Sequence, residues 1–338
     1  MSLTIGSVYG GVGSTLIGPV ENGFEPQYIV DPRTAYLVKE TIEYNWPGLK
    51  YSPDLDAFQN EKIDLLVAQP KCSDYSLLNR TKTRDDLYRV DPYQVEYVKF
   101  LQQVNKRKPE FFILENLPRI REFLFFPHNG NTFYAAVEVE RGKPRTIEAV
   151  VELPNYKILQ FDINAVNFGI PQFRRRLFII GHLKKYNFIY EPPVLEEKDY
   201  KTVRQAFQGL HNGMLNYSGD RELTEKMASK IVRCLPGQKT PNKERRLEFD
   251  KPSPTIVSSS IRHIHPVKHR YLRKIECSRL MSYPDSFKFF GSENQCLDQI
   301  GRAICPPINL HISTVIKKSL LKYHQSSQIN NILDGIML

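Results

Sequence analysis

The chain has 338 residues and a formal net charge of +10. Hydrophobic residues at 41% and charged residues at 25% are ordinary for a globular protein, so wholesale disorder and a fibrous chain are excluded. No stretch approaches the roughly 18 apolar residues of a membrane span, and no basic segment followed by an apolar run opens the chain, so no secretory signal is expected. The five cysteines are odd in number and widely spaced, without a CxxC pair. A disulfide framework and a thiolate metal site are therefore not expected, and the chain reads as cytoplasmic. The basic surplus suits a polyanionic partner, although a solvated basic surface accounts for it equally.

In chain order, LTIGSVYG reads as a strand that ends in glycines. A helix over TLIGPVENGF follows, with Pro19 interrupting its pattern. PQYIVD is a second strand, RTAYLVKETIEYN a helix, and KIDLLVAQP a third strand. YQVEYVKFLQQVNKRK has helical spacing, PEFFILENL is a fourth strand, and KILQFDINA and RRLFIIGHL are later ones. This alternation predicts an α/β fold with a doubly wound, mostly parallel sheet. The pattern weakens after residue 183. Residues 1–183 read as one domain, 184–275 as a smaller polar and basic one, and 276–338 as a segment returning to the first. INLHISTVIKKSLLKYH within that last segment reads as a helix.

Four short segments carry chemistry. Tyr9-Gly10-Gly11-Val12-Gly13-Ser14 lies between a strand and a helix, where glycines allow close backbone approach and a helix start offers free N–H groups. It fits a nucleotide or adenosyl cofactor, and equally a plain tight turn. Gln69-Pro70-Lys71-Cys72 ends a strand, the place where open α/β sheets build sites. Lys71 there favours a thiolate at Cys72. Glu115-Asn116-Leu117 ends an apolar strand; a poorly solvated carboxyl group of this kind is suited to donate a proton near neutral pH. In Gln172-Phe173-Arg174-Arg175-Arg176 an extended backbone puts Gln172, Arg174 and Arg176 on one face.

Together, in this order and spacing, the four segments resemble the cytosine-5 DNA methyltransferase family. Tyr9 to Gly13 is similar to its Phe-x-Gly-x-Gly motif, Cys72 to its Pro-Cys nucleophile, Glu115-Asn116-Leu117 to its Glu-Asn-Val, and Gln172, Arg174 and Arg176 to its Gln-x-Arg-x-Arg. Lys251 to Ile256, Tyr283-Pro284-Asp285 and Gln299 to Ile304 resemble its closing motifs.

The resemblance implies an S-adenosylmethionine-dependent transfer to C5 of a cytosine flipped out of double-stranded DNA. Cys72 would add to C6, Glu115 would act at N3, and Arg174 would steady the ring carbonyl. Asn116 would brace the Cys72 loop, and Arg176 would support the site from behind. The implied cofactor residues are Tyr9, Gly10, Gly11, Val12, Gly13, Asp31, Asp54, Leu55, Gln69, Arg302 and Ala303. The implied DNA contacts are Ser76, Arg262, Lys268 and Arg270, the last three from an acid-free run over 262–274. A monomer is expected, with a restriction endonuclease as a companion activity.

The chain departs from the family's pattern at Lys71, where proline is usual, and at Ser73, where glutamine is usual. Ile29 aligns with an acid that would bind the cofactor's ribose, with Asp31 a partial substitute, and Arg302 replaces an asparagine. Added positive charge at the cofactor end suits a more anionic donor, carboxy-S-adenosylmethionine, with Arg302 pairing to its extra carboxylate. Two further readings are a DNA-binding homologue without catalysis and an enzyme acting on transfer RNA.

Overall fold

A computed structural model describes residues 2–33, 39–71, 96–122, 124–125, 132–136, 147–210, 233–240, 244–258 and 262–336. The strands in chain order are β1 (Leu3–Val8), β2 (Phe24–Val30), β3 (Lys50–Ser52), β4 (Leu65–Ala68) and β5 (Phe111–Asn116), then β6 (Leu124–Phe125), β7 (Thr132–Ala136), β8 (Ile147–Glu152), β9 (Tyr156–Asn164) and β10 (Arg175–Leu183). Seven of them form one sheet in the order β3-β2-β1-β4-β5-β10-β9. The pairs among β1 to β5 are parallel, whereas β10 runs antiparallel to both β5 and β9. The chain steps from β1 to β3 in one direction and from β4 to β5 in the other. The order thus reverses between β1 and β4, and a crevice opens at their carboxyl ends.

The sheet is covered on both faces, so its central strands are buried throughout, while successive side chains enter opposite cores. All six residues of β5 are buried. Phe111 and Ile113 join the core on one face, Phe112 and Leu114 the core on the other. β3, three residues long, escapes a reading by periodicity because so short a run has no period. The three-stranded sheet of β6, β7 and β8 inserted after β5 was also not legible.

The helices are α1 (Ser14–Glu21), α2 (Lys39–Asn45), α3 (Glu96–Arg107), α4 (Val203–Ala206), α5 (Lys274–Leu280), α6 (Glu293–Gly301) and α7 (Pro306–Ile336). Pro19 does not break α1. Proline has no N–H to give the carbonyl four residues back, and that carbonyl, Thr15 O, accepts instead from Asn309 Nδ2 of α7 at 3.1 Å. Gly18 lets α7 come this close, since a Cβ there would lie 2.3 Å from Leu310 N.

The change of composition at residue 183 is not a break in packing. Tyr186, Phe188, Tyr190 and Val203 belong to the same core as Leu280, Ile300 and Ile312. Among the described residues between β10 and α5, regular structure is sparse. α4, closed by a Thr202–Gln205 capping box, is joined there by isolated bridges such as Arg246 with Ile264.

Candidate active site

The carboxyl ends of β1, β2, β4 and β5 bring Tyr9 to Gly13, Asp31, Gln69, Glu115 and Asn116 to one edge of the sheet. Tyr9 leaves β1 with φ of 56°, a strained value for a large side chain, and is buried. Gly11 and Gly13 also have positive φ, at 58° and 84°. A Cβ on Gly10 would lie 2.3 Å from Ser7 Oγ, so glycine is needed there. A Cβ on Gly11 would meet nothing within 4 Å, so space opens above this turn, while Val12 faces the core.

Asp31 is the first residue after β2 and is fully buried. Ile29 pairs with Ser7 and Tyr51 inside the sheet and belongs to the core, so the acid, not the isoleucine, stands at the end of the strand. Asp31 Oδ2 accepts from Gly11 N (2.8 Å) and Arg33 Nη2 (2.6 Å), and Oδ1 from Arg33 N (2.9 Å) and Nε (2.8 Å). Four donors occupy the roughly four acceptor positions of a carboxylate. The Arg33 guanidinium also donates to Tyr9 O and Gln69 O, tying three strand ends together. Beyond β3, Asp54 is exposed and its Oδ1 accepts from Asp56 N. Leu55 O is held by Arg107 Nη2 of α3 at 2.7 Å. An open glycine turn and a polar loop after β3 fit an adenosyl cofactor, while Asp31, already taken by Gly11 and Arg33, would accept a ribose diol only by exchanging donors for it.

Glu115 is the penultimate residue of β5 and is 2% exposed. It is not the isolated acid that its apolar strand suggests. Gln69 Nε2 donates to its Oε2 at 2.9 Å, and Arg176 Nε lies 3.0 Å from Oε1 as an ion pair. The geometry of that pair is not a hydrogen bond, so Oε1 is a buried acceptor without one. Asn116, also buried, receives Leu117 N and reaches Pro70 O at 3.5 Å. Lys71 is the last described residue after β4, and its N–H donates to Glu96 Oε2. Burial, first, raises the pKa of Glu96, and Arg33 and the Lys71 N–H oppose that rise. Cys72, Ser73 and Ser76 lie outside the described residues.

The expected alternation around β10 is present: Gln172, Arg174 and Arg176 are buried, and Phe173 is exposed. The two arginines have different surroundings. Arg174 donates to Ile256 O (2.9 Å), Gly301 O (3.1 Å) and Ala303 O (2.9 Å), which leaves its guanidinium facing backbone and not a reacting ring. Gln172 does similar work, donating to Leu280 O and accepting from Ile256 N. Arg176 is the arginine beside Glu115. Arg302 caps α6 in the turn that Arg174 fixes, with Asp298 3.5 Å away, and Ala303 is buried.

In the basic run, Arg270 forms a two-pronged pair with Glu276, at 2.7 and 2.9 Å, and Arg262 donates to Leu272 O with Glu293 3.5 Å away. Arg262, Lys268 and Arg270 are all half-buried. Sequence reading missed Arg33, Glu96 and Arg107, which belong to no motif. Among the described residues, no three His, Cys, Asp or Glu side chains are placed to hold a metal ion, and no helix is long and apolar enough to cross a membrane.

A doubly wound sheet with a glycine turn, an acid at the second strand end and a buried acid–arginine pair defines a nucleoside-cofactor group transferase. The chain belongs to the C-5 cytosine-specific DNA methylase family, whose sequence profile matches residues 38–318. Members are S-adenosylmethionine-dependent and act on cytosine in DNA. Curated relatives include the type II methyltransferase M1.HphI of Haemophilus parahaemolyticus, 26% identical over 95% of this chain and 87% of the relative. Another is the type II methyltransferase M.AplI of Arthrospira platensis, 28% identical over 76% and 69%. Among solved structures, one described as a DNA modification methyltransferase encoded within a prophage (E. coli) has a TM-score of 0.69 at 20% identity, covering 94% of this chain and 99% of its own. The S. pombe Dnmt2 methyltransferase has a TM-score of 0.59 at 16% identity, covering 94% and 99%. At these identities the two structures speak for the fold.

Proposed function

We propose that the chain methylates cytosine C5 in double-stranded DNA through a covalent bond from Cys72 to C6. The observation that carries this reading is Glu115: a buried carboxylate, ion-paired to Arg176, with one oxygen lacking a hydrogen bond. A flipped cytosine offers the donor that Oε1 lacks, at its exocyclic amine or at a protonated N3. The Cys72 thiolate adds its electron pair to C6 as Glu115, entering in its acid form, gives its proton to N3 and is left as the carboxylate that Arg176 pairs with. Arg176, not Arg174, holds the Glu115 carboxyl in register. S-adenosylmethionine would supply the methyl group that C5 takes. Loss of the C5 proton to water, return of the N3 proton to Glu115 and expulsion of the Cys72 thiolate restore the aromatic ring and the enzyme.

Asp31 and the turn from Tyr9 to Gly13 would hold the adenosyl end of the cofactor, with Asp54 and Leu55 at the adenine and Gln69, Arg302 and Ala303 nearer the transferred group. Residues 184–275 would read the DNA sequence, with Ser76 and Lys268 as contacts. The proposal extends to a monomeric, cytoplasmic enzyme with a cognate endonuclease; the type II names of its relatives support the restriction–modification setting alone.

A second reading concerns the donor. Arg302 stands in a turn that Arg174 clamps on both sides, through Gly301 O and Ala303 O. A guanidinium with so firm a base could pair with the extra carboxylate of carboxy-S-adenosylmethionine. Nucleoside mass spectrometry of DNA incubated with each donor, beside a Cys72→Ser control, tests both readings. 5-Methylcytosine from the wild type alone is expected. A carboxymethyl product would favour the second donor, and a product from Cys72→Ser would remove the mechanism.

A further inference from the structure

We infer that Glu96 and Arg33 are positioning residues that fix the backbone on both sides of Pro70 as it leads into Cys72, and that Glu96 supplies the restraint a proline at position 71 would give. The inference rests on the reading of Cys72 as the nucleophile.

Three successive backbone polar groups before Cys72 are each taken by a side chain from a different part of the chain. Gln69 O accepts from Arg33 Nη1 at 3.0 Å, Pro70 O from Asn116 Nδ2 at 3.5 Å, and the Lys71 N–H donates to Glu96 Oε2. Arg33 follows β2, Asn116 ends β5 and Glu96 opens α3, so the segment is gripped from three directions. The grips are linked, because Arg33 Nη1 lies 3.8 Å from Glu96 Oε2.

Proline fixes its own φ and has no N–H. Lysine at position 71 frees that torsion and adds a donor that needs an acceptor. Glu96, carried on α3, is that acceptor. The far end of α3 is anchored too. Arg107 donates to Leu55 O and Ala57 O, and Gln103 and Lys106 both donate to Asp56 Oδ1. One rigid helix therefore holds the loop after β3 at one end and the entry to Cys72 at the other.

A double-mutant cycle between positions 96 and 71 in the full-length enzyme is the test. Glu96→Ala is expected to lower kcat about 10- to 100-fold, the scale of a misplaced reacting group, with KM for DNA and cofactor changed less than about twofold. It also speeds hydrogen exchange at the Lys71 amide in the free protein. Glu96→Gln keeps an acceptor oxygen and stays within a few-fold of wild type on both measures. In a Lys71→Pro background, Glu96→Ala costs no more than about twofold, because the N–H it served is gone.

An undiminished cost in that background overturns the inference, as does Glu96→Gln behaving like Glu96→Ala. Should Glu96→Ala alone fail to fold, the double variant is expected to fold; failure of both also overturns it. Trapping of the wild type on 5-fluorocytosine DNA reports separately on Cys72, so loss of the nucleophile reading is not confused with loss of the brace.

Discussion

Arg174→Ala separates a structural arginine from a reacting one. The side chain is 2% exposed and satisfies three backbone carbonyls, those of Ile256, Gly301 and Ala303. A buried acceptor left without a donor costs about 1–3 kcal/mol. Three of them, partly relieved by water entering the vacated space, come to about 4–6 kcal/mol, a large share of a typical folding free energy of about 5–15 kcal/mol. At about 2–4 °C per kcal/mol for a domain of this order of size, Tm is expected to fall by about 10–20 °C. Thermal unfolding followed by circular dichroism measures this. Arg174→Lys can reach fewer of the three carbonyls and is expected to fall between. A variant that melts within about 3 °C of wild type yet has lost methyl transfer would refute the reasoning and return Arg174 to the reacting ring.

Glu115→Gln removes the proton donor while keeping the shape, and is expected to lower kcat by about 10²–10⁴ with DNA affinity little changed in a filter-binding titration. Asn309→Ala strips Thr15 O of the donor that replaces the missing N–H of Pro19; a loss of about 1–2 kcal/mol is expected in urea unfolding, and a Pro19→Ala change should recover part of it. Burial, chiefly, lowers the pKa of His265 to about 4, with Glu276 opposing the fall. The neutral ring accepts Val267 N and Lys268 N on Nδ1, so its contribution to stability is complete above about pH 6.5, the unfolded value, and is lost as pH falls toward 4. A His265→Asn variant, whose side chain can accept the same two N–H groups, should show a flatter acid limb. Burial raises the pKa of Cys305 to about 11 and raises that of Cys277 further. Brief iodoacetamide treatment followed by peptide mass spectrometry should therefore label Cys72 well before either of them.

Four of the five parallel strands and the long helices were legible because short continuous apolar runs, such as that of β5, alternate with helically spaced ones, such as Val98, Leu101 and Val104 of α3. Glu115 was legible for a different reason, since a charged residue directly after four apolar ones stands out. Its partner was not. Arg174 and Arg176 share a face in any extended strand, and only the third dimension decides which one meets Glu115. Alternation cannot tell a clamp on Gly301 and Ala303 from a contact with a reacting ring. Charge counting did not reveal the acidic partners of Arg262 and Arg270, because Glu293 and Glu276 come from helices outside the basic run. Arg33 and Glu96 were invisible because each acts on backbone atoms far away in sequence, a relation that no spacing records.

The covalent step is the centre of the account, and mass spectrometry of the enzyme trapped on 5-fluorocytosine duplex DNA tests it most directly. With fluorine at C5 the elimination that frees the enzyme is blocked. One stable protein–DNA adduct per active chain is expected, with the modified peptide carrying the base on Cys72 and no adduct from Cys72→Ser. An adduct on another residue, or efficient methylation of ordinary cytosine by Cys72→Ser, would contradict it.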